Sequence, residues 1–178
     1  MSVSTIESVI AQLQAQGAVA GIHEDDIIAA IIALQAVGSM RRQYDPIPYG
    51  QAISGASWQV VECFDDALPN SGRGMTANLG THRLTVESGG AGRWSADYSV
   101  YFVTDNDVEF ALRRNGSGVA LETGQGSGRG TVSAQWPVPV ALSTNDYIEL
   151  VARTNPGQTA NIGVYNAHMW FRREIPST

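Results

Sequence analysis

Residues 92–103 read GRWSADYSVYFV and alternate without a break. Trp94, Ala96, Tyr98, Val100 and Phe102 fall on one side; Arg93, Ser95, Asp97, Ser99 and Tyr101 fall on the other. A period of two places successive side chains on opposite faces of a strand. The stretch is therefore a strand with one buried and one wetter side, as in an antiparallel sheet.

The neighbouring sequence continues the pattern. In residues 108–124, VEFALRRNGSGVALETG, Phe110 and Leu112 alternate with Glu109, Ala111 and Arg113. Asn115, Gly116, Ser117 and Gly118 then supply the residues that tolerate positive φ, which a tight hairpin demands. Val119 and Leu121 resume the alternation. Further strands are expected over 58–64, 82–88, 131–139, 147–153 and 161–174, separated by Gly, Asn, Pro and Ser. Many short strands with such turns predict a mainly β chain, a sandwich or barrel. GQGSGRG (124–130) reads as a short flexible loop. It precedes a strand and not a helix, which disfavours phosphate binding.

The beginning of the chain has another texture. Residues 1–40 contain no Pro, Trp or Tyr and predict a helical hairpin. Ser4, Thr5, Ile6 and Glu7 fit a capping box. Ile6, Val9, Ile10 and Leu13 follow at helical spacing. Gly17 and Gly21 break the pattern, Glu24, Asp25 and Asp26 favour a second helix start, and Ile27, Ile28, Ile31, Ile32 and Leu34 continue to a stop at Gly38. Helices this short are marginal alone, so their apolar faces need cover, from the rest of the chain or from another chain. Residues 41–55, beginning RRQYDPIPYG, read as an extended, proline-containing linker arm. Residues 56–178 form the β domain.

Composition limits the chemistry. Net charge is −6 over 178 residues, so a broad basic face for nucleic acid is not expected. All 11 basic residues are arginine, which excludes lysine Schiff-base chemistry and the phosphate-loop lysine. The single cysteine, Cys63, excludes an internal disulfide, and its strand position reads as a small buried hydrophobe. No apolar run reaches the ~20 residues of a membrane helix. The opening MSVSTIES lacks a basic region followed by an apolar run, so no signal peptide is expected. His23, His82 and His168 fall in different elements, and a metal site would require all three to converge. Asp105, Asn106, Asp107 and Glu109 read as a solvated turn, with calcium as the sharper alternative; Asp65 and Asp66 are similar and weaker. No hydrolase, zincin or phosphate-loop motif is present, and a glycosidase carboxylate pair has no sequence signature. No enzyme activity and no cofactor are expected.

The order of features over 89–171 resembles the trimeric jelly rolls shared by tumour necrosis factor and the complement globular head. The residues that carry this are Gly92, Arg93 and Trp94 leading to Tyr98 and Phe102; Leu112, Arg113, Arg114, Asn115 and Gly116; Leu142-Ser143-Thr144-Asn145-Asp146 before Tyr147, Ile148, Glu149 and Leu150; and Met169, Trp170 and Phe171. Trp94 stands where the family usually has Tyr, and Asn145 where it has Gly. The resemblance covers about half the chain and leaves the N-terminal segment outside it. It implies an antiparallel jelly-roll β-sandwich that trimerises and buries aromatics between subunits, with Tyr98, Phe102 and Trp170 as trimer-core candidates. The family's phage members suggest a capsid decoration (cement) or head-fibre protein on the outer virion surface, with the major capsid protein as partner. Capsid- or subunit-contact candidates are then Ile6, Val9, Ile10, Leu13, Ile27, Ile31, Arg41, Arg42, Tyr44 and Tyr49. The alternative is a receptor- or glycan-binding head of a tail or surface fibre, for which Trp136 is a weak ligand candidate against a plain core role. No nucleic acid or membrane partner is expected in either case.

Overall fold

A computed structural model describes residues 37–67, 74–117 and 120–174. Its elements are β1 (Val37–Arg42), β2 (Tyr49–Ser54), β3 (Gln59–Val60), β4 (Met75–Asn78), β5 (Arg83–Val86), β6 (Gly92–Thr104), β7 (Val108–Arg114), β8 (Ala120–Gly126), β9 (Arg129–Gln135), β10 (Val140–Leu142), β11 (Tyr147–Thr154) and β12 (Thr159–Arg173). They form two six-stranded antiparallel sheets. In sheet A, β12 and β6 are the central pair; β1 and β2 flank β12, and β9 and β10 flank β6. In sheet B, β11 and β7 are central; β5 and β3 flank β11, β4 lies beyond β5, and β8 flanks β7.

The alternation of residues 92–103 survives in β6, whose even-numbered side chains from Trp94 to Thr104 are buried. They meet the inward side chains of sheet B, where Phe102 and Phe110 lie tilted with ring centroids 4.9 Å apart. The Tyr98 hydroxyl donates to the Phe110 carbonyl at 2.8 Å and so ties the sheets together through the core. The hairpin after β7 turns as expected, with Asn115 at φ 53° and Gly116 at φ 65°.

The first part of the sandwich departs from expectation. Residues 37–54 are two strands rather than a helix end and a linker arm. Gly38 pairs with Phe171 and does not stop a helix. A Cβ there would lie 2.7 Å from the Met75 Cβ, so glycine permits the close approach of the two sheets. The central strand β12 offers one long edge, and β1 and β2 satisfy it in turn. The prolines fall between them, at positions that give no amide to the ladder. The helical reading of residues 1–36, with Ile6, Val9, Ile10, Leu13, Ile27 and Ile31, lies outside the described residues.

Two other boundaries move. Of 58–64 only β3 is strand, and residues 61–67 run as irregular chain that buries Val61, Cys63 and Phe64. The expected loop 124–130 narrows to 127–128, because β8 and β9 extend into it. There a Cβ on Gly126 would lie 2.5 Å from the Phe102 ring, so glycine lets the core aromatic reach the strand.

Both described chain ends, Val37 on β1 and Glu174 after β12, leave at one end of the sandwich, because Val37 pairs with Arg172. The connections 55–58, 105–107, 127–128 and 155–158 cap the opposite end.

Candidate functional site

Each sheet turns one face outward, and the two faces are built differently. On sheet B, the outward residues of β11 are Tyr147, Glu149, Val151 and Arg153. Glu149 is wholly buried, at 0% exposure. Its carboxylate accepts from Arg83 Nε at 2.9 Å and Arg113 Nε at 2.7 Å. Arg83 also lies 4.3 Å over the Tyr147 ring. Arg113 Nη1 donates to the Trp58 carbonyl, and Arg153 stacks on the Trp58 ring at 4.3 Å while binding Glu109 at 2.6 Å. Trp58 thus bridges the rows on either side of Val151 and Ala111, which are fully buried. Sheet B covers its own outward face.

The turn beside this face is equally closed. Asp146 accepts from Arg114 at 2.6 Å, from Asn115 at 2.6 Å and from the Ser143 amide at 2.7 Å. Asn115 returns a bond by accepting from the Tyr147 amide. Burial pushes the Asp146 carboxyl up, but these donors outweigh it and hold it below the usual carboxylate range. Asn145 takes φ 71°, which explains why glycine is the usual residue there. The motifs of the Asn-Gly turn and of residues 142–150 are therefore a structural lock between the β7–β8 and β10–β11 connections.

Sheet A carries exposed aromatic side chains on its outward face among the described residues. Tyr44, in the β1–β2 loop, is 63% exposed. It stacks on Tyr101 of β6 and Tyr165 of β12 at 6.5 and 6.3 Å, and those two rings are 5.3 Å apart. Arg129 of β9 closes the group by donating to the Tyr165 hydroxyl at 2.7 Å and lying 5.0 Å over its ring. The Tyr165 hydroxyl raises the Arg129 pKa further above its ordinary value. Tyr165 is the extra residue of a β-bulge between Val164 and Asn166 and follows the inward Val164 onto the outward face. Further along the same face, His168 faces Asp97 at 3.3 Å, Ser133 bonds Ser99 at 2.9 Å, and Trp170 is 36% exposed. Between Tyr44 and Trp170 runs a groove of about 500 Å3, lined by Arg41, His168 and Met169 among others.

The 43–48 loop is held rigidly. The Ile47 amide donates to the Asp45 carboxylate, the Asp45 amide to the Tyr165 carbonyl, and Arg42 to the Ile47 carbonyl. Ile47 itself is 76% exposed.

The expected contact residues separate. Arg41 binds Asp66 at 2.7 Å; Arg42 binds Asp65 at 3.0 Å and the Val164 carbonyl at 3.2 Å. Both arginines, and both aspartates, therefore clasp the chain to itself and are not free for a partner. Tyr49 packs against the core. Of the four, Tyr44 is the exposed residue; the others are part-buried. Tyr98 and Phe102, expected between subunits, lie between the two sheets of one chain and have no area to give a neighbour. Trp136, the weak ligand candidate, is a core residue edge-on to Phe171 at 5.5 Å. Trp170 stays on the outward face. The sequence reading missed Tyr165 and Arg129, and placed Tyr101 on the wetter side without assigning it a role.

The remaining chemical candidates disperse. His82 sits in the β4–β5 turn of sheet B, and His168 lies on sheet A. Among the described residues no three His, Cys, Asp or Glu side chains converge as metal ligands. Asp105 accepts from the Asn161 amide and side chain, which hold its carboxyl below the usual range. Burial pushes the Cys63 thiol up to about 12, so it is a packing residue and no nucleophile.

No family model matches the sequence, and no curated protein matches it. Solved structures do match in fold. The Eiger TNF of S. frugiperda is 8% identical, over 81% of this chain and 95% of that chain, with a TM-score of 0.56. The globular domain of zebrafish complement 1qA is 13% identical, over 81% and 99%, with a TM-score of 0.53. The PRD1 vertex protein P5 is 12% identical, over 78% and 96%, with a TM-score of 0.48. The chain has the jelly roll common to the tumour necrosis factor and complement-head structures.

Proposed function

We propose that the chain is a structural head that self-associates through the outward face of sheet A, as a homotrimer. The observation that carries this reading is the Tyr44, Tyr101 and Tyr165 group with Arg129, an aromatic cluster on the outward face of sheet A whose outermost ring, Tyr44, is exposed. Aromatics and arginine are the residues that dominate protein interfaces. Sheet B supports the reading by contrast, since its own side chains already cover it. Three-fold closure is what the family resemblance implies; a cyclic ring needs only one such contact repeated.

In its sharper form the head decorates a phage capsid or forms a head fibre on the outer virion surface, with the major capsid protein as partner. The chain enters β1 at one end of the sandwich. The preceding residues, whose sequence spaces apolar side chains at helical intervals, would attach there and the head would project. Three linked anchors multiply a modest contact through effective concentration.

Solution mass of the full-length chain tests the assembly. A trimer is expected, and Tyr44→Glu with Tyr101→Glu should give monomers that remain folded. A wild-type monomer overturns the interface. Incubation with empty phage heads tests the setting. Binding that raises their heat tolerance supports decoration, and absence of binding removes it while leaving the trimer intact.

A further inference from the structure

We infer that the end of sheet B remote from the chain termini carries a binding site for a neutral saccharide. The site is a cleft of about 620 Å3, within the range of small-ligand pockets. Register aligns its floor. Arg153 of β11 pairs with Glu109 of β7, and Glu109 with Gln125 of β8, so three outward side chains stand side by side. The residues two positions beyond each, Asn155, Asp107 and Ser127, line the same cleft. With strands ~4.8 Å apart and side chains of one face ~6.8 Å apart along each strand, the array spans roughly 10 by 7 Å, the size of one or two sugar rings.

The polar groups are available. The side chains of Asp107, Gln125, Ser127 and Asn155 make no hydrogen bond within the described residues. Arg153 is pinned on two sides, by Glu109 through Nε and by the Trp58 ring beneath it. No side chain other than Glu109 accepts a hydrogen bond from Arg153 among the described residues. Such a fixed donor fork costs little ordering on binding. Ala56 stands at the side of the cleft. The preceding Gly55 carbonyl accepts from the Thr154 amide, and its amide bonds the Gln158 carbonyl, so this wall is also fixed.

The chemistry selects the ligand class. Carboxylate acceptors, a guanidinium donor, two amides that do both and a hydroxyl alternate over the floor, which matches a ring of hydroxyls that each donate and accept. No aromatic ring lines the cleft, and its larger apolar side chains are only Pro156 and the buried Val108, so an apolar ligand finds little area. Arg153 is neutralised by Glu109, and Asp107 adds a second negative charge, so phosphate and acidic sugars are repelled. The position is also functional for a projecting head. The cleft lies among connections 105–107, 127–128 and 155–158, at the opposite end from Val37.

The test is amide chemical shift mapping on the 15N-labelled full chain. The probes are neutral mono- and disaccharides of the gluco, galacto and manno series, with sialic acid, inorganic phosphate and argininamide alongside. Saturable shifts at Asp107, Glu109, Gln125 and Asn155 with a neutral sugar are expected. Asp107→Asn and Asn155→Ala should each weaken that binding by about tenfold or more, with mass and melting temperature unchanged, because both side chains are exposed and unpartnered. No shift at these residues with any neutral sugar overturns the proposal. So does binding of only sialic acid or phosphate, which would make it an anion site, or of only argininamide, which would make it a site for a basic protein segment. None of these outcomes depends on whether the chain is a trimer.

Discussion

The outward faces of the two sheets start from similar strands and end in opposite states. Sheet B places a carboxylate at the centre of its face and buries it under arginines from β5 and β7, with Trp58 drawn across. Arg83 and Arg113 share Glu149, and Arg153 pairs with Glu109, all within the same chain. Sheet A places three tyrosines and a tryptophan on its face; Tyr44 and Arg129 cover Tyr165, while Tyr44 and Trp170 stay exposed among the described residues. The contrast separates stability from association. A face sealed by its own ion pairs has little to gain from a neighbour, whereas exposed aromatic area gains free energy from any close fit.

The comparison can be broken most severely at Glu149. Glu149→Ala leaves the largely buried Arg113 and the part-exposed Arg83 without their shared acceptor, and should cost about 3 kcal/mol. Urea denaturation of wild type and variant measures it. A loss under about 1 kcal/mol would mean that sheet B's face is not held by its ion pairs. The next effect is on assembly rather than folding. Tyr44→Glu with Tyr101→Glu should weaken self-association by about a hundredfold or more, the scale of interface hot spots, while changing the unfolding midpoint of the monomer little. Sedimentation over a dilution series reads both the wild-type mass and its loss.

Acid should act on the closed side as well. The Asp146 carboxyl is held below its ordinary value, so the folded state binds its proton less readily than the unfolded chain does. Its contribution is present in full above about pH 4, the unfolded value, and is lost as pH falls through the lower folded value. Asp146→Asn should cost about 1–3 kcal/mol near neutrality and flatten the decline in stability below about pH 4. An unchanged acid slope would remove Asp146 as the lock. The smallest effect is expected at Trp170, on the open side: Trp170→Ser should change folding stability by under about 1 kcal/mol, because more than a third of the side chain already faces water. A larger loss would show that this end of sheet A is also sealed within one chain.

The sequence made one sheet legible and hid how its faces are used. The unbroken alternation of β6 identified its buried side residue by residue, and the Asn-Gly turn located the hairpin. The same rule put Tyr101 on the wetter side. It could not show Tyr101 meeting Tyr44 and Tyr165, because those rings come from a loop and a bulged strand far away in the chain. Glu149 sits among Tyr147, Ile148, Leu150 and Val151, and alternation turns it outward, as observed. Its burial depends on Arg83 and Arg113, which local periodicity cannot bring over it. Tyr98 and Phe102 were read as subunit contacts from the resemblance, although their own alternation placed them inside. Residues 37–42 gave no strand signal because Gly38, Ser39 and two arginines mask the single inward Met40.

Sheet A also fixes the order in which the molecule can be completed. Strand β12 follows the other eleven described strands in the chain, yet β1, β2 and β6 all pair with it. Until residue 173 has emerged, the edges of three earlier strands stay unmatched on the ribosome. The tyrosines of β6 and the 43–48 loop wait beside them. The chain must hold these open edges apart from those of its neighbours, since unpaired edges and exposed apolar surface favour aggregation. A message truncated before codon 159 would yield no smaller version of the head, only a sandwich missing the centre of one wall.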